Sequence, residues 1–119
     1  MAQKVFQMLE DILPVATAHT GGGLKLVFLK PDDSNTALTQ FAYGKFLPGD
    51  CVEDHAHPTM EECFFFLKGM GSCTILGETY TVKPGAFLRI PPGAVHNLVA
   101  EGEDVLEFVY FGIALNSEE

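Results

Sequence analysis

Residues 49–69 read GDCVEDHAHPTMEECFFFLKG and hold two of the chain's four histidines and three consecutive phenylalanines. His55 and His57 stand two apart. Side chains of a strand repeat every two residues, so in extended backbone both imidazoles project to the same side. Pro58-Thr59-Met60 interrupts the run and can turn the chain. A hairpin there brings Glu62, at the head of the next strand, back across from the histidines. Glu61 is the competing acid, placed by parity on the opposite face. Two imidazoles and one carboxylate on a common face are intermediate N/O donors that suit first-row transition metals. The alternative is an acidic turn leading into a buried strand.

A fourth donor lies further on. In GAFLRIPPGAVHNL, residues 85–98, Pro91-Pro92-Gly93 forms a tight turn and His96 follows it at the head of another strand. Three imidazoles and one carboxylate leave one or two coordination positions open, which separates a catalytic centre from a closed structural one. The remaining histidine, His19, stands in HTGGG, residues 19–23, and reads as a solvent-exposed loop residue.

From Leu24 onward, short runs rich in Val, Ile, Leu, Phe, Tyr and Thr alternate with turn clusters such as KPDDSN, LPGD, KGMG, PPGA and EGED. This spacing predicts an all-β domain, a sandwich or small barrel. The last run, VLEFVYFGI, is apolar on both faces, which suits a closed barrel whose outside is also covered, for instance by a partner subunit. Val5, Met8, Leu9 and Ile12 follow helical spacing ahead of Pro14, which allows a short N-terminal helix of one to three turns, while KVF, residues 4–6, reads equally as a short strand.

Together these residues make the sequence similar to the cupin superfamily. Gly49, His55, His57, Glu62 after a four-residue gap, and Gly69 six residues later match the first cupin motif in full. The distance to Gly69 selects Glu62 over Glu61. Gly85, Pro91, Gly93 and His96 match the second motif, except that Ala100 stands at its final asparagine while Asn97 directly follows the histidine. The resemblance implies a small cupin β-barrel, the jelly roll or double-stranded β-helix. It also implies that His55, His57, Glu62 and His96 ligate a divalent transition metal, whether Fe, Mn, Ni, Zn or Cu.

Strand parity carries Phe64 and Phe66 inward with Glu62, as cavity wall or core. Arg89 is the chain's one arginine; pointing inward it would clamp a substrate carboxylate, pointing outward it is a surface charge. Cys51 shares the parity of His55 if that strand is unbroken. Tyr110 alternates with Leu106 and Phe108 on the last strand and can offer a hydroxyl to the cavity. With Tyr43 and Glu53 it completes a short set of proton carriers.

The chain of 119 residues fits one domain, and at 47% hydrophobic it can bury a real core. A net charge of −9 argues against nucleic acid and against an anionic membrane as partners. Three cysteines without a C-x-x-C pair suit a reducing cytoplasm rather than a disulfide scaffold. The segment MAQKVFQMLEDILP, with its early acidic pair, does not read as a signal peptide, and no apolar run is long enough to span a bilayer. The expected function is a metal-dependent oxygenase, isomerase or decarboxylase acting on a small organic molecule, in a homodimer. The alternative is a non-enzymatic module that binds or senses a sugar or small acid through the same centre.

Overall fold

The computed structural model describes residues 4–115. The strands are β1 (Val15–Ala16), β2 (Leu24–Leu29), β3 (Leu38–Phe46), β4 (Cys51–His55), β5 (Met60–Lys68), β6 (Met70–Ile75), β7 (Glu78–Val82), β8 (Phe87–Ile90), β9 (His96–Glu101) and β10 (Leu106–Ala114). Every run read as extended from Leu24 onward forms a strand. They build two antiparallel sheets, one of order β1-β2-β3-β10-β5-β8 and one of order β4-β9-β6-β7. This is the jelly-roll barrel expected for a cupin.

The N-terminal helical spacing produces less than an α-helix. Only a single 3-10 turn forms, Leu9–Asp11, and Ile12 is already extended. The reason is packing. No residue of the turn is buried, and Val5 and Phe6 stay 85% and 81% exposed. A short helix with no surface to cover cannot repay its nucleation.

The core lies between the sheets. Phe66, Leu106, Phe108 and Val82 are each nearly fully buried and plug the barrel interior. Each such side chain contributes about 1.5–3 kcal/mol on burial. Phe108 stands opposite both Phe66 and the side-chain-free Gly44 across the larger sheet. A Cβ on Gly44 would clash with the Phe108 ring, with three of its atoms under 3.0 Å away. The turn glycine Gly69 has φ +82°, and a Cβ there would run into the backbone of Val105 and Leu106. That motif glycine is therefore fixed by the β5–β6 corner rather than by chemistry. On the outer face of β10, Phe111 is half-buried beside Phe41, with ring centroids 6.0 Å apart. Neighbouring strands thus cover part of the surplus apolar surface.

Candidate metal centre

β4 and β9 are paired so that His55 and His96 stand directly opposite. Glu62 enters from β5, across from Ile90 of β8 and Gly112 of β10. His57 lies just past β4, where the Gly93 amide donates to its carbonyl at 2.9 Å and ties it to the Pro91–Gly93 turn. The ligand-competent atoms of His55, His57, Glu62 and His96 all lie within 4.8 Å of one another. N/O donors on opposite sides of one transition-metal ion stand about 4 Å apart, so the four need close only slightly to hold one.

The imidazoles are oriented for such a role. The Nδ1–H of His55 donates to the Glu53 carbonyl at 2.8 Å, and that of His96 to the Ala94 carbonyl at 2.9 Å. A carbonyl only accepts, so Nδ1 carries the proton and Nε2 presents its lone pair to the centre. Glu62 Oε1 is 3.5 Å from His57 Nε2 and 3.6 Å from His96 Nε2. Burial pulls the His96 pKa down, but the Glu62 hydrogen bond, the Ala94 carbonyl and the charges of Glu62 and Asp54 together raise it. His55 shifts the other way: burial, aided by the neighbouring imidazoles, lowers it against the Glu53 carbonyl. The donor set and its orientation fit a divalent transition metal.

Asn97 braces this arrangement. Its amide N–H donates to Asp54 at 2.8 Å, and its carbonyl accepts from the Thr74 amide at 3.0 Å. It therefore joins β4 and β6 to β9 beside both histidines. Ala100, at the motif's usual asparagine, is 2% exposed within the core. An amide there would be buried.

The four residues close one end of a cavity of about 200 Å³. Phe64 and Tyr110 form part of its wall, stacked with ring centroids 5.2 Å apart. Phe66 shares their face but is fully buried in the core and does not reach the cavity. Arg89 is a clearer correction. Leu88 and Ile90 face the core, so alternation turns Arg89 outward, where its Nε and a terminal nitrogen meet Glu61 Oε1 at 2.9 and 2.6 Å. The same pair accounts for Glu61, which lies on the outer face as parity requires.

Cys51 also stays out of the cavity. The register of β4 against β9 shifts between Val52 and His55. This bulge leaves two residues, Glu53 and Asp54, between two inward-facing positions instead of one, so Val52, not Cys51, lines the cavity with His55. Cys51 instead packs against Gly21 and donates its amide to that residue's carbonyl at 3.0 Å. Tyr43 bonds Glu107 away from the cavity, and Glu53 sits exposed at its rim.

His19 departs from the sequence reading. It lines the cavity, its Nδ1 2.5 Å from Glu53 Oε1 and its ring centroid 4.8 Å from that of His55. The three glycines after it allow this. A Cβ on Gly21 would collide with the Cys51 backbone, so only a glycine-rich loop can fold onto β4 and bring His19 with it. Lys25 and Gln40, on β2 and β3, also line the cavity and were not singled out from sequence.

No curated protein matches the chain closely enough to count as a relative. Solved structures do. A predicted oxalate decarboxylase of Thermotoga maritima superposes with TM-score 0.87 at 23% identity, covering 93% of this chain and all of that one. KdgF of Halomonas sp. gives TM-score 0.74 at 17% identity over 97% of this chain and 98% of its own. A cupin protein of Bacteroides fragilis gives 0.72 at 22% identity over the whole of this chain and 91% of its own. At these identities the likeness speaks for the fold. The family model for the cupin domain matches residues 42–112, a stretch that contains all four converging donors. The chain belongs to the cupin family.

Proposed function

We propose that this protein is a metal-dependent enzyme of small-molecule metabolism, with His55, His57, Glu62 and His96 as the ligands of a divalent transition metal. The observation that carries this reading is the convergence of four donor atoms at the end of a cavity, with two of the imidazoles turned by backbone carbonyls to present Nε2. A metal held there would supply Lewis-acid polarisation of a substrate oxygen or a redox centre.

The protein's own side chains provide the rest. Phe46, Phe64 and Phe108 give the cavity an apolar wall that excludes water from a bound molecule. Burial, with the charge of Glu62, pushes the Tyr110 phenol up to about 12, so it holds its proton and can donate a hydrogen bond to an oxygen anion on the substrate. His19 stands at the rim beside Glu53 as a group able to pass a proton outward. These roles fit oxygenase, isomerase and decarboxylase chemistry alike. Among the similar structures, the name of the predicted oxalate decarboxylase favours a small organic acid, and that of a putative sugar phosphate isomerase favours a sugar phosphate. The test is metal analysis of untagged protein, followed by a screen of small acids and sugars with the metal found. Turnover of none of them, with the metal in place, would turn the reading toward binding.

That second reading, a non-enzymatic sensor of a sugar or small acid, is favoured by one observation. Of the proton carriers named from sequence, Tyr43 and Glu53 both stand outside the cavity wall. Among the described residues, that leaves the wall few groups beyond the metal ligands to move a proton.

A reducing cytoplasm suits three cysteines that form no disulfide. No helix among the described residues is long and apolar enough to cross a membrane. Pairing with a second copy is supported by Phe65 and Phe87, adjacent on the outer face of the larger sheet and 43% and 62% exposed. A monomer in sedimentation equilibrium would remove that part of the proposal.

A further inference from the structure

The cavity wall carries a chain of three polar side chains. Lys25 Nζ donates to Gln40 Oε1 at 3.0 Å, and Gln40 Nε2 donates to the Tyr110 hydroxyl oxygen at 3.4 Å. All three residues line the cavity shared with His55, His57, Glu62 and His96.

The direction of this chain is fixed by chemistry. An ammonium can only donate, so the amide of Gln40 must turn its oxygen toward Lys25 and its NH₂ toward Tyr110. The Tyr110 oxygen then accepts, and its own proton is left to point elsewhere. Each bond polarises the next, with a cation at the head of the series. The result is a hydroxyl donor strengthened by a charge two side chains away.

Lys25 is unusual in a second respect. It is half-buried, yet among the described residues it has no carboxylate within ion-pair distance. Lys30, Lys45 and Lys83 lack one too, but like Lys4, Lys68 and Arg89 they are exposed. Among the described residues Lys25 is also the only lysine or arginine lining the cavity, together with apolar Phe46, Met60 and Phe108. A positive charge set in a largely apolar wall without a counter-ion is an anion-recognition element.

We infer that Lys25, Gln40 and Tyr110 form the specificity arm of the site and select substrates bearing a carboxylate. One substrate oxygen lies toward the His/Glu centre, while a second, anionic group meets Lys25 and the Tyr110 hydroxyl. This rests on the metal-dependent reading above and narrows it, since a neutral sugar would leave Lys25 unpaired. The Glu62 charge does not oppose the arrangement, because a bound divalent cation more than offsets it.

The test uses Mn(II)-loaded protein and isothermal titration with malonate, its neutral diamide malonamide, and other mono- and dicarboxylates of similar size. The wild type is expected to bind malonate more tightly than malonamide. Lys25→Met keeps the aliphatic stem and removes the charge. It should weaken malonate about tenfold or more, as for loss of a charge-assisted hydrogen bond, and narrow the preference over malonamide. Lys25→Arg should recover most of the loss, and Tyr110→Phe should weaken malonate by a smaller factor. Unchanged malonate affinity in Lys25→Met, or no binding of any of the acids by the wild type, overturns the inference. Elemental analysis of the same samples keeps the two readings apart. Full Mn(II) loading of Lys25→Met with unaltered malonate binding sinks the arm alone. If the wild type takes up neither Mn(II) nor Fe(II), Ni(II), Zn(II) or Cu(II), the metal reading fails. The arm is then judged by amide shifts that malonate induces at Lys25, Gln40 and Tyr110 in metal-free protein, whose absence overturns it.

Discussion

Gly44→Ala tests how tightly the cavity wall is built. Gly44 has an ordinary negative φ, so alanine costs nothing in backbone strain and would by itself stabilise by about 0.4–1 kcal/mol through the unfolded chain. Its new methyl, however, would clash with the Phe108 ring, which is 2% exposed and hemmed in by other rings. The centroids of Phe46, Phe64, Phe66 and Tyr110 lie 5.4, 5.8, 5.2 and 5.6 Å away. The ring's open direction is the cavity it lines. Overpacking of this kind costs about 1–3 kcal/mol, so the net expectation is a loss of roughly 1–2 kcal/mol. Phe108→Leu alone should cost a similar amount through the space it leaves. In the double variant the smaller side chain makes room for the methyl, and the loss should fall short of the sum by at least about 1 kcal/mol. Urea unfolding of the four proteins measures this cycle. Additivity within about 0.5 kcal/mol would refute the packing described for Gly44 and Phe108.

Alkaline titration offers an independent check. Burial and the Glu107 carboxylate push the Tyr43 phenol up to about 12, and burial with Glu62 does the same for Tyr110. A folded pKa raised above the unfolded value of about 10 gives stability that is full below pH 10 and lost as pH climbs toward 12. Phenolate absorbance should therefore lag behind that of unfolded protein, and Tyr43→Phe with Tyr110→Phe should flatten the alkaline loss of stability; a steep loss in the double variant would contradict this. Phe66→Ala should cost about 3–5 kcal/mol in denaturant unfolding, whereas Phe65→Ala, on the exposed face, should cost far less. Equal losses would invert the face assignment of β5. Arg89→Met should leave metal content and ligand binding unchanged and shift stability by no more than about 1 kcal/mol, since its pair with Glu61 is exposed. A clear loss of ligand affinity would return Arg89 to the cavity.

Much of this molecule was legible before its fold was known, because period-two alternation and fixed spacing are local. The H-x-H pair, the gap to Glu62 and the distance to Gly69 placed three donors on one face, and the Pro-Pro-Gly turn placed His96. The orientation of Arg89 stayed open, because parity cannot be carried through the Pro91-Pro92 turn to His96; the packing of Leu88 and Ile90 into the core decides it. Cys51 was not, because a single-residue bulge inverts the faces of β4 and nothing local announces it. His19 reaches the site through contacts with residues more than thirty positions away, carried there by a glycine loop whose landing point depends on β4. Lys25 and Gln40 sit on strands whose alternation is visible, but which face looks inward is decided by pairing across β3 and β10. The Tyr43–Glu107 bond likewise depends on cross-strand register and removes Tyr43 from the proton carriers.

The central claim is that His55, His57, Glu62 and His96 hold a metal. Elemental analysis of untagged wild type and of His57→Ala, with circular dichroism on both, tests it most directly. His57 is half-buried beyond the end of β4, so its loss should spare the barrel. The account predicts stoichiometric transition metal in the wild type and loss of most of it in the variant, with unchanged β-sheet signal. Full metal content in folded His57→Ala would contradict it.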